Sequence, residues 1–236
     1  MLHLVLADSE IELVPPELFD HRVIQQFARR RGRKPAELIL NSCFHFPAMR
    51  GIPGAERRGR PDIAHFSLLL ALDSPLNRSG LLRVYVHTRE NMLITVDPST
   101  RIPVAQHRFE GLLEHLFMNG SAPPEKPLLR LERASLCDIV RRVSPEKTIV
   151  FSDGGERKEW KNVFEGLKRN DNTCVVIGGF PHGDFISPVH EFADELVCVD
   201  PDLLLAPTVV SRAIHAYEDA IGLQVGRLGV KKYGEK

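Results

Sequence analysis

Strand-like and helix-like runs alternate along residues 128–222, and this alternation constrains the fold more than any other feature of the chain. The predicted strands span 128–132, 147–152, 173–180 and 195–200, and the predicted helices span 135–143, 156–170 and the segment that begins at Pro207. Helices of this length between successive strands are typical of parallel pairing. The pattern therefore predicts an α/β fold with a mostly parallel sheet that helices cover on both faces.

The N-terminal half is less regular and predicts an elaboration placed before that sheet. The predicted elements are strands at 2–6, 11–14, 81–88 and 91–97, and helices that end at Gly32, begin at Pro35, and span 62–73 and 108–117. Glycine after a helix and proline at its start are the usual boundary signals. We expect a single domain over 1–236, in which residues 1–60 form a basic N-terminal elaboration.

The composition excludes several classes of protein. With 43% hydrophobic and 26% charged residues over 236 positions, a disordered, collagen-like or disulfide-scaffold chain is ruled out. No apolar run approaches the ~18 to 20 residues of a membrane-spanning helix, and the start lacks the basic region of a signal peptide. The four cysteines lie far apart without zinc-site spacing. We expect a cytoplasmic protein with no membrane partner and no metal.

The net charge is zero, but the charges are unevenly distributed. Residues 1–20 contain five acidic residues and no lysine or arginine. Residues 22–60, called the basic segment below, contain ten lysines or arginines against two acidic residues, a local charge of +8. Such a segment is a candidate surface for a polyanion such as RNA. A solvated helix end and turn would explain its RRRGRK tract equally well.

Two loops that follow predicted strands are candidates for ligand binding, since ligands of α/β sheets sit beyond the carboxyl ends of the strands. The first, IGGFPHGDF, contains Gly178 and Gly183, which would let the backbone approach a ligand closely, although a plain turn explains the pattern as well. His182 in this loop is either an acid or base or an exposed bystander. The second, at 199–204, places leucines where they could sandwich an adenine ring. Asp153 either lines the same pocket or caps the following helix.

The motif RRGRPDI suggests a pre-positioned arginine. Asp62 lies two residues after Arg60 at a predicted helix N-cap, where its carboxylate can accept backbone N–H groups and also hold the Arg60 guanidinium. A guanidinium fixed in this way suits a phosphate or a base edge. A simple helix cap with a surface ion pair is the alternative interpretation.

Four motifs in this order, RRGRPDIAHFSLL, SPLNRSGLLRVYVHT, TRIPVAQHRFEGLL and IGGFPHGDF, resemble the Nep/Emg family of small-subunit rRNA methyltransferases, in its archaeal type. The resemblance covers residues 57–222. It implies a SPOUT fold with a C-terminal trefoil knot that binds the cofactor S-adenosyl-L-methionine within residues 148–222. It also implies a homodimer that assists ribosome biogenesis by methylating N1 of a pseudouridine in a hairpin of small-subunit (16S-type) rRNA.

The resemblance also implies roles for individual residues. Arg60 and Asp62 are the expected catalytic residues, with Asp62 holding the arginine in place. Where the family often has another arginine this chain has Val104, and Arg58 or the RRRGRK tract is expected to supply that charge. The expected RNA contacts are Arg58, Arg60, Arg101 and Arg108. The expected cofactor contacts are Gly178, Gly183, Val199, Asp200, Pro201, Asp202, Leu203 and Leu204.

Two other functions stay open from the sequence. A non-catalytic RNA-binding ribosome assembly factor would use the basic segment, while the glycine loop would be only a turn. A SPOUT methyltransferase that acts on tRNA would share the cofactor pocket but not the substrate. Binding of the cofactor discriminates the first alternative, and methyl transfer to a pseudouridine hairpin discriminates the second.

Overall fold

A computed structural model describes residues 1–167 and 171–229 of the chain, and these residues form one α/β unit around an eight-stranded sheet. The strands are β1 (Leu2–Ser9), β2 (Leu82–Thr88), β3 (Met92–Val96), β4 (Ser121–Ala122), β5 (Leu129–Arg133), β6 (Lys147–Arg157), β7 (Thr173–Gly178) and β8 (Glu195–Cys198). The helices are α1 (Arg22–Arg31), α2 (Ser42–Met49), α3 (Pro61–Asp73), α4 (Pro75–Arg78), α5 (Gln106–Asn119), α6 (Leu136–Val143), α7 (Trp160–Val163), α8 (Ala206–Ala220) and α9 (Leu223–Gly229).

The strand order is β4-β5-β3-β2-β1-β7-β6-β8. The neighbouring pairs β2-β1, β1-β7, β7-β6 and β6-β8 are parallel. At the other edge, β3, β5 and β4 add antiparallel strands. The prediction of a mostly parallel sheet is therefore confirmed. β1 lies at the centre and all eight of its residues are buried, as expected for a strand covered on both faces.

Helices cover both faces of the sheet, because alternate residues of each central strand enter different cores. Leu4 and Leu6 of β1 pack in the core that contains α3, α5 and α8. Val5 and Ala7 pack in the opposite core, which contains α6. Of the described helices, none is long and apolar enough to cross a membrane.

The N-terminal elaboration has a small core of its own, and two predictions made there are wrong. Residues 11–14 form a single bridge, Leu13 to Ile39, instead of a strand. Pro35 opens a 3-10 turn of three residues, and the helix starts later, at Ser42. The residues between them are extended because Leu38 and Leu40 are buried against α1 and α2 in this core.

The predicted helix at 156–170 is also largely wrong. β6 continues to Arg157, and within the described part of the predicted helix only Trp160–Val163 is helical. Residues 168–170 of the prediction lie outside the described residues. The strand continues because it pairs with β8 twice, once before and once after an irregular stretch between Phe151 and Glu156. A Cβ on Gly155 would lie 2.5 Å from the backbone of Leu196, so a glycine is needed for this close approach.

Candidate cofactor and RNA site

A cavity of about 480 Å³ lies where β7 and β8 end, beside the irregular stretch of β6, and where α3 and α8 begin. This is the position expected for a ligand of a parallel sheet, and the volume is in the usual range for ligand pockets. Most of the predicted site residues line it, namely Arg60, Asp62, Gly178, Gly183, Val199, Asp200, Asp202, Leu203 and Leu204. The cavity thus brings the RPD motif together with both predicted cofactor loops, although more than a hundred residues of chain separate the motif from the loops.

The glycine loop forms one wall of the cavity. Gly183 has φ of +84°, a conformation that side-chain-bearing residues rarely adopt. A Cβ on Gly178 would lie 2.5 Å from the Phe180 ring, which also lines the cavity. Glycine is therefore required at both positions for the wall to keep its shape.

The loop after β8 forms an apolar wall. Leu203 and Leu205 line the cavity although they are 63% and 73% exposed, so a ligand would remove apolar surface from water. Asp200 turns the chain before them by accepting a hydrogen bond from the Asp202 N–H at 3.1 Å. Pro201 is exposed and is not among the lining residues, so its predicted direct contact does not fit this geometry.

The lining combines apolar side chains with carboxylates, and this combination suits a ligand with a flat ring and a positive charge. The carboxylates are Asp62, Asp153, Asp184, Asp200 and Asp202. Asp153 lies in the irregular stretch of β6, so it lines the pocket and does not cap a helix. His182 also lines the cavity, where its Nε2 lies 3.1 Å from the Glu56 carbonyl oxygen.

Arg60 and Asp62 form the predicted pair. The guanidinium donates from Nε to Oδ1 at 2.9 Å and from Nη2 to Oδ2 at 2.8 Å. These hydrogen bonds raise the pKa of Arg60. Arg60 itself is the N-cap of α3, Pro61 is the first helical residue, and Asp62 lies in the first turn, so the prediction of an N-cap at Asp62 is wrong by two positions. The two hydrogen bonds fix the orientation of the pair, and the Arg60 side chain is still 34% exposed.

Arg58 does not fit its predicted contact with RNA. Its side chain is buried, and its Nε and Nη2 donate to the two carboxylate oxygens of Glu12 at 2.8 and 2.6 Å. These hydrogen bonds raise the pKa of Arg58. The guanidinium is thus already used to hold the basic segment against the chain that follows β1.

Arg101 and Arg108 are exposed and lie outside the cavity lining. His65, in α3, has Nε2 at 2.7 Å from the Pro103 carbonyl oxygen, which places Pro103 of the 101–108 segment beside the helix that Arg60 caps. Val104, where the resemblance expects a further arginine, is 82% exposed on the same segment.

Acidic residues at the end of β1 were missed as site residues by the sequence reasoning. Asp8 is buried and accepts hydrogen bonds from the backbone N–H groups of Ile186 and Ser187 at 2.6 and 2.9 Å. Burial raises the pKa of Asp8, but hydrogen bonds from His87 and Ser187 outweigh that effect and leave the pKa below its usual value. The signal for this role in the sequence is a cluster of acidic residues, Asp8, Glu10 and Glu12, at the end of a buried strand.

Comparisons with known proteins identify the family of the chain. The EMG1/NEP1 methyltransferase family model matches residues 4–218. The chain is 43% identical to the ribosomal RNA small subunit methyltransferase Nep1 of Thermococcus kodakarensis, covering 94% of this chain and 100% of the relative. It is 45% identical to Nep1 of Pyrococcus furiosus, covering 92% and 96%.

A solved structure shares the fold as well. The crystal structure of Nep1 from Archaeoglobus fulgidus bound to S-adenosylhomocysteine superposes with a TM-score of 0.81 at 33% identity, covering 92% of this chain and 97% of that one. The matches extend over nearly the whole chain, and two of the four motifs that carry the resemblance, RRGRPDIAHFSLL and IGGFPHGDF, line the cavity. The chain therefore belongs to the EMG1/NEP1 methyltransferase family.

Proposed function

We propose that this protein transfers the methyl group of S-adenosylmethionine to N1 of a pseudouridine in a hairpin of small-subunit rRNA, as a step of ribosome biogenesis. The coarser activity, S-adenosylmethionine-dependent methylation of small-subunit rRNA, is that of its family and of the relatives named above. The observation that carries the proposal is that the Arg60–Asp62 pair and the two cofactor loops line a single cavity.

The cavity fits S-adenosylmethionine in shape and charge. The leucine wall offers an apolar face to the adenine ring, and the carboxylates offer an environment that favours the sulfonium cation. A side chain at Gly178 would displace the Phe180 ring, and Gly183 has a positive φ, so both glycines help this wall of the cavity to keep its shape. We propose Gly178, Gly183, Val199, Asp200 and the 202–204 segment as cofactor contacts.

When bound, the cofactor supplies an electrophilic methyl group on sulfur. The chain's own part is to hold N1 of the base in line with that methyl, and positioning of this kind can supply most of the rate acceleration. We assign this role to Arg60, whose orientation is fixed by Asp62 through two hydrogen bonds. A guanidinium near a carbonyl oxygen next to N1 would also stabilise the negative charge that develops as N1 loses its proton.

Arg101 and Arg108 are proposed to bind the RNA backbone around the target base. They are exposed, and Pro103, between them, contacts α3, the helix that Arg60 caps. The target base would be unstacked in the hairpin loop to reach the cavity, as base-modifying enzymes usually require. Arg58 is left out of this proposal because Glu12 occupies its guanidinium.

Three further properties belong to the proposal. Residues 148–222, which contain β6, β7, β8 and α8, are proposed to form the knotted cofactor region. The protein is proposed to act as a homodimer, because apolar side chains beside the cavity, such as Phe66 and Leu70 of α3, are 51% and 46% exposed and a second copy would cover them. It is proposed to work in the cytoplasm on assembling small subunits.

The test compares two synthetic rRNA hairpins that differ only in pseudouridine or uridine at the target position. With labelled S-adenosylmethionine, methyl should transfer to the pseudouridine hairpin and not to the uridine hairpin. Equal transfer to both would contradict N1 of pseudouridine as the acceptor. Transfer to tRNA but not to either hairpin would favour the tRNA alternative, and absence of both transfer and cofactor binding would favour an assembly factor.

The role of the Arg60–Asp62 pair is tested by Asp62→Ala. Transfer to the pseudouridine hairpin should fall about tenfold or more, since two charge-assisted hydrogen bonds that orient Arg60 are lost. The affinity for S-adenosylhomocysteine, measured by calorimetric titration, should stay within about threefold because Asp62 orients the arginine. An equal loss of cofactor affinity would contradict this division of roles.

A further inference from the structure

Two loops from distant parts of the chain, 53–60 and 180–184, are fastened together by one side chain. Arg57 donates from Nη1 to the carbonyl oxygen of Asp184 at 2.6 Å. Its guanidinium carbon also lies 4.0 Å from the centre of the Phe180 ring, a close cation–π contact. Arg57 is not a lining residue of the cavity, whereas both of its contacts in the second loop are.

A buried carboxylate holds Arg57 in this position. Glu10 is fully buried and accepts from Nε of Arg57 at 2.5 Å. The backbone of Glu10 joins both halves of the site, because its N–H donates to the Gly179 carbonyl at 3.2 Å and its carbonyl accepts from the Arg60 N–H at 3.0 Å. The other carboxylate oxygen accepts from Arg89 at 2.8 Å.

The planar shape of the guanidinium is what makes this arrangement work. One edge faces Glu10, another nitrogen reaches Asp184, and the flat face stacks on Phe180. A lysine could satisfy the carboxylate but could not make the three contacts at once, since its ammonium is a point charge without a flat face. The remaining nitrogen, Nη2, is buried without a hydrogen-bond partner among the described residues.

We propose that Arg57 is a positioning residue, which sets the glycine wall of the cofactor cavity in place relative to Arg60 without touching either ligand. This inference rests on the proposed assignment of the cavity to S-adenosylmethionine. A second contact, between His182 and the Glu56 carbonyl, joins the same two loops at 3.1 Å. Removal of the Arg57 bridge would leave Phe180 and Asp184 free to move, and the cofactor would have to order them on binding.

The test measures binding of S-adenosylhomocysteine to the full-length chain by calorimetric titration. Arg57→Ala should raise the dissociation constant about tenfold or more, because a charge-assisted hydrogen bond and a cation–π contact that hold the wall are lost. The matched control is Arg89→Ala, which removes another arginine that pairs with the Glu10 carboxylate. The two side chains are similarly buried, at 18% exposure for Arg89 and 13% for Arg57. Arg89 makes its other ion pair with Glu90, and its variant should bind within about threefold of the wild type.

Arg57→Lys keeps a positive charge for Glu10 and covers the case in which the alanine variant does not fold. It should still lose about fivefold or more in affinity, because the reach to Asp184 and the stacking are gone. Wild-type affinity in Arg57→Lys would overturn the proposal, as would equal losses in Arg57→Ala and Arg89→Ala. Those results would reduce Arg57 to a general stabiliser of the Glu10 cluster.

Kinetics separate a positioning role from a merely structural one. In Arg57→Lys the KM for S-adenosylmethionine should rise, while kcat at saturating cofactor should stay within about twofold, because the cofactor itself orders the wall once bound. A lower kcat with unchanged KM would overturn the proposal. The binding contrast between the variants of Arg57 and Arg89 needs no RNA, so it tests this inference even if the pseudouridine hairpin proves to be the wrong substrate.

Discussion

The basic segment and the two cofactor loops are both recognisable in the sequence, but the fold uses their residues differently. Part of the positive charge of the basic segment is neutralised by acidic side chains within the fold. Four of the ten basic residues of the segment are engaged by acidic side chains within the fold. These pairs are Arg31 with Glu114, Arg57 with Glu10, Arg58 with Glu12, and Arg60 with Asp62. The six exposed ones are Arg22, Arg29, Arg30, Arg33, Lys34 and Arg50.

The cofactor loops behave in the opposite way. In the first loop the signal was its glycines, and each has a local structural reason, the positive φ of Gly183 or the close Phe180 ring beside Gly178. In the second loop the signal was its leucines, and Leu203 and Leu204 line the cavity. A backbone requirement of this kind depends only on nearby residues. A charge depends on which partner the fold brings to it, so a local charge of +8 overstates the field that an RNA would meet.

The largest difference is expected between two arginines that the sequence reasoning treated alike. Arg58→Ala should lower the free energy of unfolding by about 3 to 5 kcal/mol, because Glu12 would be left buried and unpaired. Arg101→Ala should change it by less than about 0.5 kcal/mol, because Arg101 is exposed. Denaturant unfolding at neutral pH measures both. Equal stability of the two variants would mean that the Arg58–Glu12 pair does not stabilise the fold.

The second prediction tests the backbone requirement in the cofactor loops. Gly183→Val should weaken binding of S-adenosylhomocysteine by about a hundredfold, since a β-branched residue cannot keep φ at +84° without strain of about 1–3 kcal/mol. Calorimetric titration gives the affinity.

Gly80→Val is the matched control for this change. Gly80 has a similar φ of +72°, has open space around its Cβ position, and lies between α4 and β2, apart from the cavity lining. It should lose comparable stability while binding the cofactor normally. If both variants bound with wild-type affinity, the glycine wall would not be part of the cofactor site.

The parts of the fold that could be predicted are those set by local periodicity. The hairpin of β2 and β3 and the helix α5 match their predictions, because strand alternation and the helical spacing of apolar residues are read within a dozen residues. The predicted helix at 156–170 failed because the second pairing of β6 with β8 overrides local helix propensity. That pairing joins residues about forty positions apart, which no local pattern reveals.

The candidate site divides along the same line. The motif residues Arg60, Asp62, Gly178 and Gly183 meet in one cavity, as the resemblance implied. The roles of Arg58 and Glu10 could not be predicted, because each depends on a partner more than forty residues away. Asp8 at the end of β1 and Glu10 just after it contribute to the local negative charge, but in the fold they anchor the loops that form the site.

The smallest effect concerns the salt dependence of RNA binding, and it separates exposed from engaged arginines directly. Each phosphate contact that releases a counterion contributes about 0.7 to 0.9 to the slope of log affinity against log salt concentration. Arg101→Ala should therefore make the slope for the hairpin less steep by about that amount. Arg58→Ala, measured where it is still folded, should leave the slope unchanged because Glu12 already neutralises Arg58. Cofactor binding should show almost no slope, because it releases no counterions from phosphates. A change of slope in Arg58→Ala but not in Arg101→Ala would reverse the assignment and return Arg58 to the RNA surface.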